Sequence, residues 1–357
     1  MAVYIALDAL VIIITLFDVS LNLRNPSYKP IQIFNVFVFL VLFFVAAFRG
    51  DFAYDYVGYE MIYAQTSNKT LWEILSNWSN NYPETGFLVF LFFTKTIFNN
   101  KLFVFILSSA LIVFAYLKEI KEHFPKHIIP LLLFVEMGTY YTSFNVVRQI
   151  MAAAIIVLGL KHLYNKSFFK YLIAALLAST IHESALIMIP MYFVLRAKWG
   201  KKVIWLSGAA VIILIFLLPT IMGWVTQYMW QWYDVSNLLG TGFSVKNIVA
   251  PLFISAFPII NGLIKKDTND IKENIWLNGT YVFLAFSVLG MQVGLLERFA
   301  SFFAIFAILS FAQNLYQLKS SRGKNVVLFL VPLIVILYGL VVRSGSGYDP
   351  YYFIWQR

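Results

Sequence analysis

Long apolar stretches without a charged side chain constrain this sequence more than any other feature. Residues 31–48, 203–218 and 326–342 are three such stretches. At a rise of about 1.5 Å per residue, each spans about 24–27 Å as a helix, which is close to the thickness of a hydrocarbon core of about 30 Å. Over the whole chain 61% of residues are hydrophobic and 12% are charged, whereas soluble domains are about 45–50% apolar and about 25% charged. The sequence therefore predicts an all-α polytopic integral membrane protein and excludes soluble, disordered and coiled-coil folds.

The apolar runs also predict how many helices the chain contains. Two runs, 87–117 and 168–195, are too long for one crossing, and polar residues break the first at 99–101 and the second around 180–184. We therefore expect about 11–13 transmembrane or re-entrant helices. We find no internal repeat or soluble linker, so residues 1–357 are expected to form a single transmembrane domain. The runs comprise residues 2–21, 31–48, 87–117, 128–142, 146–163, 168–195, 203–221, 248–264, 275–293, 299–318 and 326–342.

The charged residues are distributed asymmetrically along the chain, whose net charge is +10. One set of loops carries 18 of the 27 basic residues with only four acids, whereas the long loop 49–85 has two basic and five acidic residues. Cytoplasmic loops are enriched in Lys and Arg, so we expect the basic loops in the cytoplasm and loop 49–85 outside. This topology accounts for most of the charge, and no nucleic-acid partner is expected. Because the chain has no cysteine, disulfides and cysteine-based metal or redox chemistry are excluded.

The topology predicts that residues 168–195 enter the membrane and return to the same side. The basic segments 161–170 and 196–202 on either side of this run are both assigned to the cytoplasm. Each arm then has about 13 residues and a length of roughly 20 Å, which is too short to cross fully. A broken helix hairpin would place His182 and Glu183 at its tip. Two short tilted crossings joined by a tight turn are the alternative, and they place His182 in the same position.

Several polar residues near the predicted outer face are candidates for chemistry. Arg49, Asp51 and Asp55 directly follow a span, where an arginine can bind phosphate and a carboxylate can accept a proton. Their alternative role is that of snorkelling charges in an interfacial aromatic belt. Arg148 opens a helix, where its charge opposes the positive end of the helix dipole. We therefore expect an anionic partner for Arg148, either a protein carboxylate or a substrate phosphate.

Two further residues complete this set of candidates. His182 lies in an apolar run, where a single histidine often makes only one internal hydrogen bond, but the broken span and the adjacent Glu183 favour a functional role. No zinc motif is present, and no metal site is expected. Arg298 follows a span that ends outside, and its neighbour Glu297 is not necessarily its partner, because adjacent helical residues point in different directions. Arginines and carboxylates gathered at one face favour a lipid-linked pyrophosphate over a neutral metabolite.

At these residues the sequence resembles the EpsG-type family of bacterial membrane polysaccharide polymerases, which includes many O-antigen polymerases of the Wzy pathway. The resemblance extends over nearly the whole chain. The family commonly has a Pro-Gly pair after the glutamate, where this chain has Thr85-Gly86. The resembling motifs are R-G-D-F-A-Y-D-Y-V-G-Y from Arg49, Glu84 to Phe87, Arg148-Gln149, His182 to Leu186, Glu297 to Phe299 and Pro350-Tyr351.

The resemblance implies a polymerase of O-antigen, capsule or exopolysaccharide in the bacterial inner membrane. It would transfer a growing glycan from undecaprenyl pyrophosphate to a new lipid-linked repeat unit on the periplasmic side. Asp51 or Asp55 would act as the base, with His182 as a competitor. Arg148 and Arg298 would hold the pyrophosphate, and Arg49 would assist. The remaining candidates for substrate binding, which lie in or beside the same motifs, are Tyr59, Glu84, Glu183 and Tyr351.

No cofactor or metal is expected, because pyrophosphate is a good leaving group once arginines neutralise it. The expected partners are the undecaprenyl-pyrophosphate-linked oligosaccharide, membrane lipid and a chain-length regulator protein. Three alternatives remain open from the sequence. They are an O-antigen ligase that uses the same donor, a membrane acyltransferase, and a non-enzymatic flippase or transporter of lipid-linked oligosaccharide.

Overall fold

The computed structural model describes residues 2–24, 32–66, 68–78, 81–125, 129–228, 245–264, 270–318, 322–344 and 351–356. These residues form 17 α-helices and no strand, which confirms the predicted all-α class. The helices are α1 Ala2–Arg24, α2 Gln32–Ala47, α3 Tyr54–Thr66, α4 Leu71–Ser76, α5 Thr85–Phe98, α6 Leu102–His123, α7 Ile129–Glu136, α8 Thr139–Thr142, α9 Val147–Tyr164, α10 Phe168–Ile181, α11 Met188–Arg196, α12 Lys201–Tyr228, α13 Val245–Ile264, α14 Ile271–Gly290, α15 Gly294–Ala300, α16 Ala304–Tyr316 and α17 Arg322–Ser344.

Four of the described helices are long and apolar enough to cross a membrane, in agreement with a polytopic membrane protein. Five further apolar helices in the described ranges have 10–17 residues. The four long segments are Leu102–His123, Val147–Tyr164, Lys201–Val225 and Lys324–Val341.

The described residues group into two compact units. The first contains residues 1–162, 168–186 and 318–357, and the second contains residues 163–167 and 187–317. The expectation of a single transmembrane domain stays a prediction.

The break predicted at residues 99–101 is present. Helix α5 ends at Phe98, and Asn99 adopts a left-handed conformation with φ of +48° while its N–H bonds to the carbonyl oxygen of Lys95. Helix α6 begins at Leu102. A second break, inside the run 128–142, was not predicted. There Gly138 has φ of +101°, a backbone conformation that costs glycine little, and it separates α7 from α8.

Segment 49–85, which is expected from the sequence to be a loop, contains helices α3 and α4. Helix α4 is short, and its first turn is stabilised by reciprocal hydrogen bonds between Thr70 and Glu73. Before α3 the chain pairs with its C-terminal segment through an isolated β-bridge between Arg49 and Phe353. The segment is therefore folded against the rest of its own unit.

The predicted break around His182 is also present. Helix α10 ends at Ile181, a 3₁₀ turn covers Glu183–Ile187, and α11 begins at Met188. At the end of α11, Arg196 donates hydrogen bonds to the carbonyl oxygens of Leu163 and Tyr164, the second at 3.2 Å. Tyr164 lies only four residues before α10 begins. The hairpin itself, in which α10 and α11 return to the same side of the membrane, stays a prediction.

Candidate functional site

Arg49 lies inside the protein, with only 1% of its surface exposed. Its Nε–H donates to the carbonyl oxygen of Phe144 at 3.2 Å, and a terminal N–H donates to the carbonyl oxygen of Ala46. The guanidinium carbon also lies 4.9 Å from the centre of the Phe105 ring. Burial lowers the pKa of Arg49 to about 10. These contacts replace the hydration that a buried cation loses, and Arg49 presents no open surface for a substrate.

The residues after Arg49 bind the C-terminal segment. The N–H of Gly50 donates to the carbonyl oxygen of Tyr352 at 2.8 Å, and the Tyr352 hydroxyl donates to Oδ1 of Asp51. Tyr351 is buried, and its hydroxyl donates to the carbonyl oxygen of Val45 at 2.6 Å. Asp51 and Tyr351 therefore help to hold the C-terminal segment against the end of α2 and the residues that follow it.

Glu84 lies at the centre of a cluster that joins three distant parts of the chain. Its Oε2 accepts a hydrogen bond from a terminal N–H of Arg148. Its Oε1 accepts the backbone N–H of Glu183 at 3.1 Å and lies 3.1 Å from Nδ1 of His182. The side chains of Glu84, Arg148 and His182 are only 19%, 16% and 14% exposed. One half-buried carboxylate thus holds a cation, a histidine and a backbone N–H at the beginning of the 3₁₀ turn.

Arg148 is held from several sides at the beginning of α9. Its backbone N–H lies 3.4 Å from the hydroxyl of Tyr59, which accepts the bond. Its guanidinium carbon lies 5.6 Å from the ring centre of Tyr82 and 5.8 Å from that of Phe87. Its Nε is buried and has no hydrogen-bond partner within the described ranges. Glu84 therefore uses only part of the donor capacity of this guanidinium.

His182 interrupts the helical backbone between α10 and the 3₁₀ turn. Its Nδ1 is near Oε1 of Glu84 and also lies 3.4 Å from Oγ of Ser184. When Nδ1–H donates to Glu84, the neutral ring carries its lone pair on Nε2. A carboxylate that fixes the tautomer of a histidine in this way is a common arrangement for a general base. His182 can therefore accept a proton at Nε2.

Gly86 allows the first turn of α5 to approach the last turn of α10. A Cβ atom at position 86 would overlap the side chain of Thr180 and would lie 2.6 Å from its carbonyl oxygen. Only glycine fits such a close backbone approach. Because Glu84 lies just before α5 and His182 just after α10, this contact sets the distance between the two side chains.

The environment of Glu84 favours its charged form. Burial alone would raise the pKa of this carboxyl, but the hydrogen bond from His182, the charge of Arg148 and the N–H of Glu183 lower it to about 2. The carboxylate is therefore ionised over the whole physiological pH range. It remains an acceptor for its three partners.

This lowered pKa predicts a pH-dependent contribution of Glu84 to stability. Because the folded pKa lies below the ordinary value of 4.5, the contribution is complete above about pH 4.5 and is lost as the pH falls towards 2. The difference in melting temperature between the wild type and Glu84→Gln is expected to be largest above pH 5 and to shrink below pH 4.5. Thermal unfolding in detergent, followed by tryptophan fluorescence, measures it. A difference that stays constant down to pH 3 would contradict the prediction.

Two other predicted residues lie on other helices. The Asp55 side chain is exposed, but its backbone N–H donates to Oδ1 of Asn145 at 2.8 Å, which connects α3 to the turn three residues before Arg148. Arg298 lies in α15 of the second compact unit, where it is exposed. The structure thus brings together Glu84, Arg148, His182, Glu183 and Tyr59 of the predicted set.

Sequence reasoning missed the roles of Asn145, Tyr82 and Gly86. Gly86 was visible as part of a motif, but nothing in the sequence indicated its contact with Thr180. Within the ranges that the structure describes, no group of three or more His, Asp or Glu side chains is positioned to hold a metal ion. The expectation of a metal-free site stays a prediction.

Comparison with known proteins assigns the chain to a family. No curated protein matches the sequence, and no solved structure matches it. The sequence model of the EpsG family, by contrast, matches residues 32–354. The matched range contains Glu84, Arg148 and His182. Since the match covers most of the chain, this membrane protein belongs to the EpsG family.

Proposed function

We propose that this protein is a polysaccharide polymerase of the bacterial inner membrane, with its active side towards the periplasm. It transfers a growing glycan from undecaprenyl pyrophosphate to a new lipid-linked repeat unit, in the synthesis of O-antigen, capsule or exopolysaccharide. Membership of the EpsG family supports a polymerase in general terms. The observation that carries the proposal is the Glu84 carboxylate, which holds Arg148 on one oxygen and His182 on the other.

The reaction needs a base and an anion-binding group, and this cluster contains both. The acceptor hydroxyl attacks the anomeric carbon of the donor glycan, and its proton passes to Nε2 of His182. The bond between the anomeric carbon and the pyrophosphate oxygen breaks, and the oxygen keeps the electron pair. Arg148 binds the departing pyrophosphate. Glu84 orients His182 and Arg148 without contacting the reacting atoms.

The other candidates receive lesser or alternative roles in this proposal. Asp55 is the alternative base, because its position near Asn145 places it close to the beginning of α9. Asp51 is less suited, since its carboxylate already accepts the Tyr352 hydroxyl. Arg49 is assigned to the support of the fold, because its guanidinium is buried. Arg298 keeps its proposed role as a second pyrophosphate ligand.

Purified protein reconstituted with lipid-linked repeat units tests the function directly. We expect wild-type protein to form a ladder of longer glycans without any energy input, resolved on a gel. Movement of the lipid-linked unit across the bilayer without elongation would instead identify a flippase, and transfer to a lipid A core would identify a ligase. Transfer of an acyl group would identify an acyltransferase. A chain-length regulator, if it is a partner, would narrow the length distribution of the ladder.

The same assay tests the assigned residues at equal protein abundance. Arg148→Ala is expected to lower ladder formation at least about 100-fold, as loss of a single charge-stabilising group does in other enzymes.

Arg298→Ala is expected to lower ladder formation about tenfold, because Arg298 is proposed as a second ligand of the pyrophosphate. Asp55→Asn is expected to retain most of the activity if His182 is the base. Full chain-length distributions in both arginine variants would contradict the site.

A further inference from the structure

The short segment before α5 is held in place by its own hydrogen bonds. The side-chain amide of Asn81 donates to the carbonyl oxygen of Ile74 at 2.7 Å and to Oγ1 of Thr85 at 2.9 Å. The Thr85 hydroxyl in turn donates to the carbonyl oxygen of Trp78 at 3.0 Å. The backbone on either side of Tyr82 is therefore fixed before any ligand binds. Such preorganisation lowers the entropic cost of binding.

Tyr82 is exposed to an unusual degree for an aromatic side chain in a fixed segment. Its exposed fraction is 84%, although the guanidinium carbon of Arg148 lies 5.6 Å from its ring centre. One region of the ring thus contacts the cation that we assign to pyrophosphate, and the rest is open. An exposed ring beside an anion-binding arginine can bind the part of a ligand that adjoins the anion.

We propose that Tyr82 binds the sugar that is attached directly to the pyrophosphate, by stacking against the C–H face of its ring. The inference rests on the proposed function, since it assigns a sugar to the group next to the anion. In a glycosyl pyrophosphate this sugar is bonded to a phosphate oxygen, so it must lie beside the residue that holds the phosphate. A pyranose has one face of C–H groups, which an aromatic ring binds well.

The surroundings of Tyr82 favour a sugar over a lipid chain. The ring lies at an arginine whose partner is the Glu84 carboxylate. An acyl or polyprenyl chain gains nothing from charged neighbours, whereas a sugar has hydroxyl groups around its edge that can bond to them. Trp72 offers a comparison on the same segment. It is 77% exposed on α4, and no contact between it and the Glu84 cluster is described.

Saturation-transfer NMR with protein in detergent tests the proposal. The probe is the repeat-unit oligosaccharide released by mild acid from the polysaccharide of the cells that carry the gene. Tyr82→Ala is expected to weaken its binding about tenfold, while Tyr82→Phe, which keeps the ring, and Trp72→Ala stay close to wild type. In the reconstituted reaction Tyr82→Ala is expected to raise KM about tenfold with little change in kcat, because stacking binds substrate and transition state alike.

The outcomes separate this inference from the proposed function. Inorganic pyrophosphate is the second probe, and its binding is expected to depend on Arg148 but not on Tyr82. If wild-type protein elongates no glycan, the proposed function is wrong, and oligosaccharide binding still tests Tyr82 by itself. If Tyr82→Ala binds the oligosaccharide as well as wild type does, or if Tyr82→Phe is as weak as Tyr82→Ala, the inference is overturned. If Tyr82→Ala lowers the melting temperature but leaves oligosaccharide binding unchanged, the role of Tyr82 is structural, and the inference is also overturned.

Discussion

Arg148→Lys is expected to lower polymerisation at least about 100-fold, although it preserves the positive charge. A guanidinium has five N–H donors in a planar fork, and here one of them binds Glu84 while Nε has no partner among the described residues. It also lies close to the rings of Tyr82 and Phe87. An ammonium group is compact and cannot bond to Glu84 and stabilise a departing pyrophosphate in the same geometry.

The rate of ladder formation at equal protein abundance measures this effect. The matched control is Arg196→Lys, because the Arg196 guanidinium binds the carbonyl oxygens of Leu163 and Tyr164 and takes no part in the proposed chemistry. The control is expected to lower the melting temperature slightly and to keep most of the polymerisation activity. A wild-type rate for Arg148→Lys would show that charge alone suffices and would remove the argument for a forked contact.

Gly86→Ala is expected to have the second large effect, through the position of the site and not through its chemistry. The new Cβ would lie 2.6 Å from the carbonyl oxygen of Thr180, and a main-chain oxygen cannot rotate away as a side chain can. The first turn of α5 must then move away from the last turn of α10. We expect a destabilisation of about 1–3 kcal/mol. We also expect at least about a tenfold loss of polymerisation, because Glu84 no longer reaches His182 and the N–H of Glu183 just after α10.

Two further variants make this prediction specific. Gly208→Ala in α12 is the matched control, since no described atom beyond its own helical backbone lies within 4 Å of the methyl group that it would gain. This control is expected to be neutral or to stabilise by about 0.5–1 kcal/mol. The double variant Gly86→Ala with Thr180→Ala removes the overlap with Oγ1 but leaves the Cβ and the carbonyl oxygen of residue 180 in place, each 2.6 Å from the new Cβ. It is therefore expected to remain impaired. Full recovery in the double variant would show that only the threonine atoms beyond Cβ restrict position 86.

Much of the fold is predictable from the sequence because apolar runs and polar interruptions are local signals. The break at residues 99–101 and the break after Ile181 both lie where polar residues interrupt an otherwise apolar run. The break at Gly138 was missed, because a single glycine within an apolar run does not reveal its backbone angle. Helices α3 and α4 were missed because they are short and lie in a polar, aromatic segment with no clear apolar period.

The candidate site is predictable in its members but not in its arrangement. Arg148 and His182 stand out because ionisable groups near apolar runs need partners. Glu84 was named as a ligand of the substrate, whereas the structure assigns its carboxylate to Arg148 and His182. Arg49 has the residue type of a phosphate ligand, yet it is buried. These differences depend on contacts between residues far apart in the chain, such as Gly86 with Thr180, which no local pattern encodes.

The sharing of Glu84 links ligand binding to backbone position. In the proposed function, an anion at Arg148 shares the guanidinium with Glu84, and Glu84 also accepts the N–H of Glu183 just after α10. On this proposal, filling or emptying the anion site changes the charge that Glu84 faces, and with it the strength of its bond to the N–H of Glu183. The proposal thus predicts that occupancy of the anion site and the backbone position of Glu183 are thermodynamically coupled through this single carboxylate.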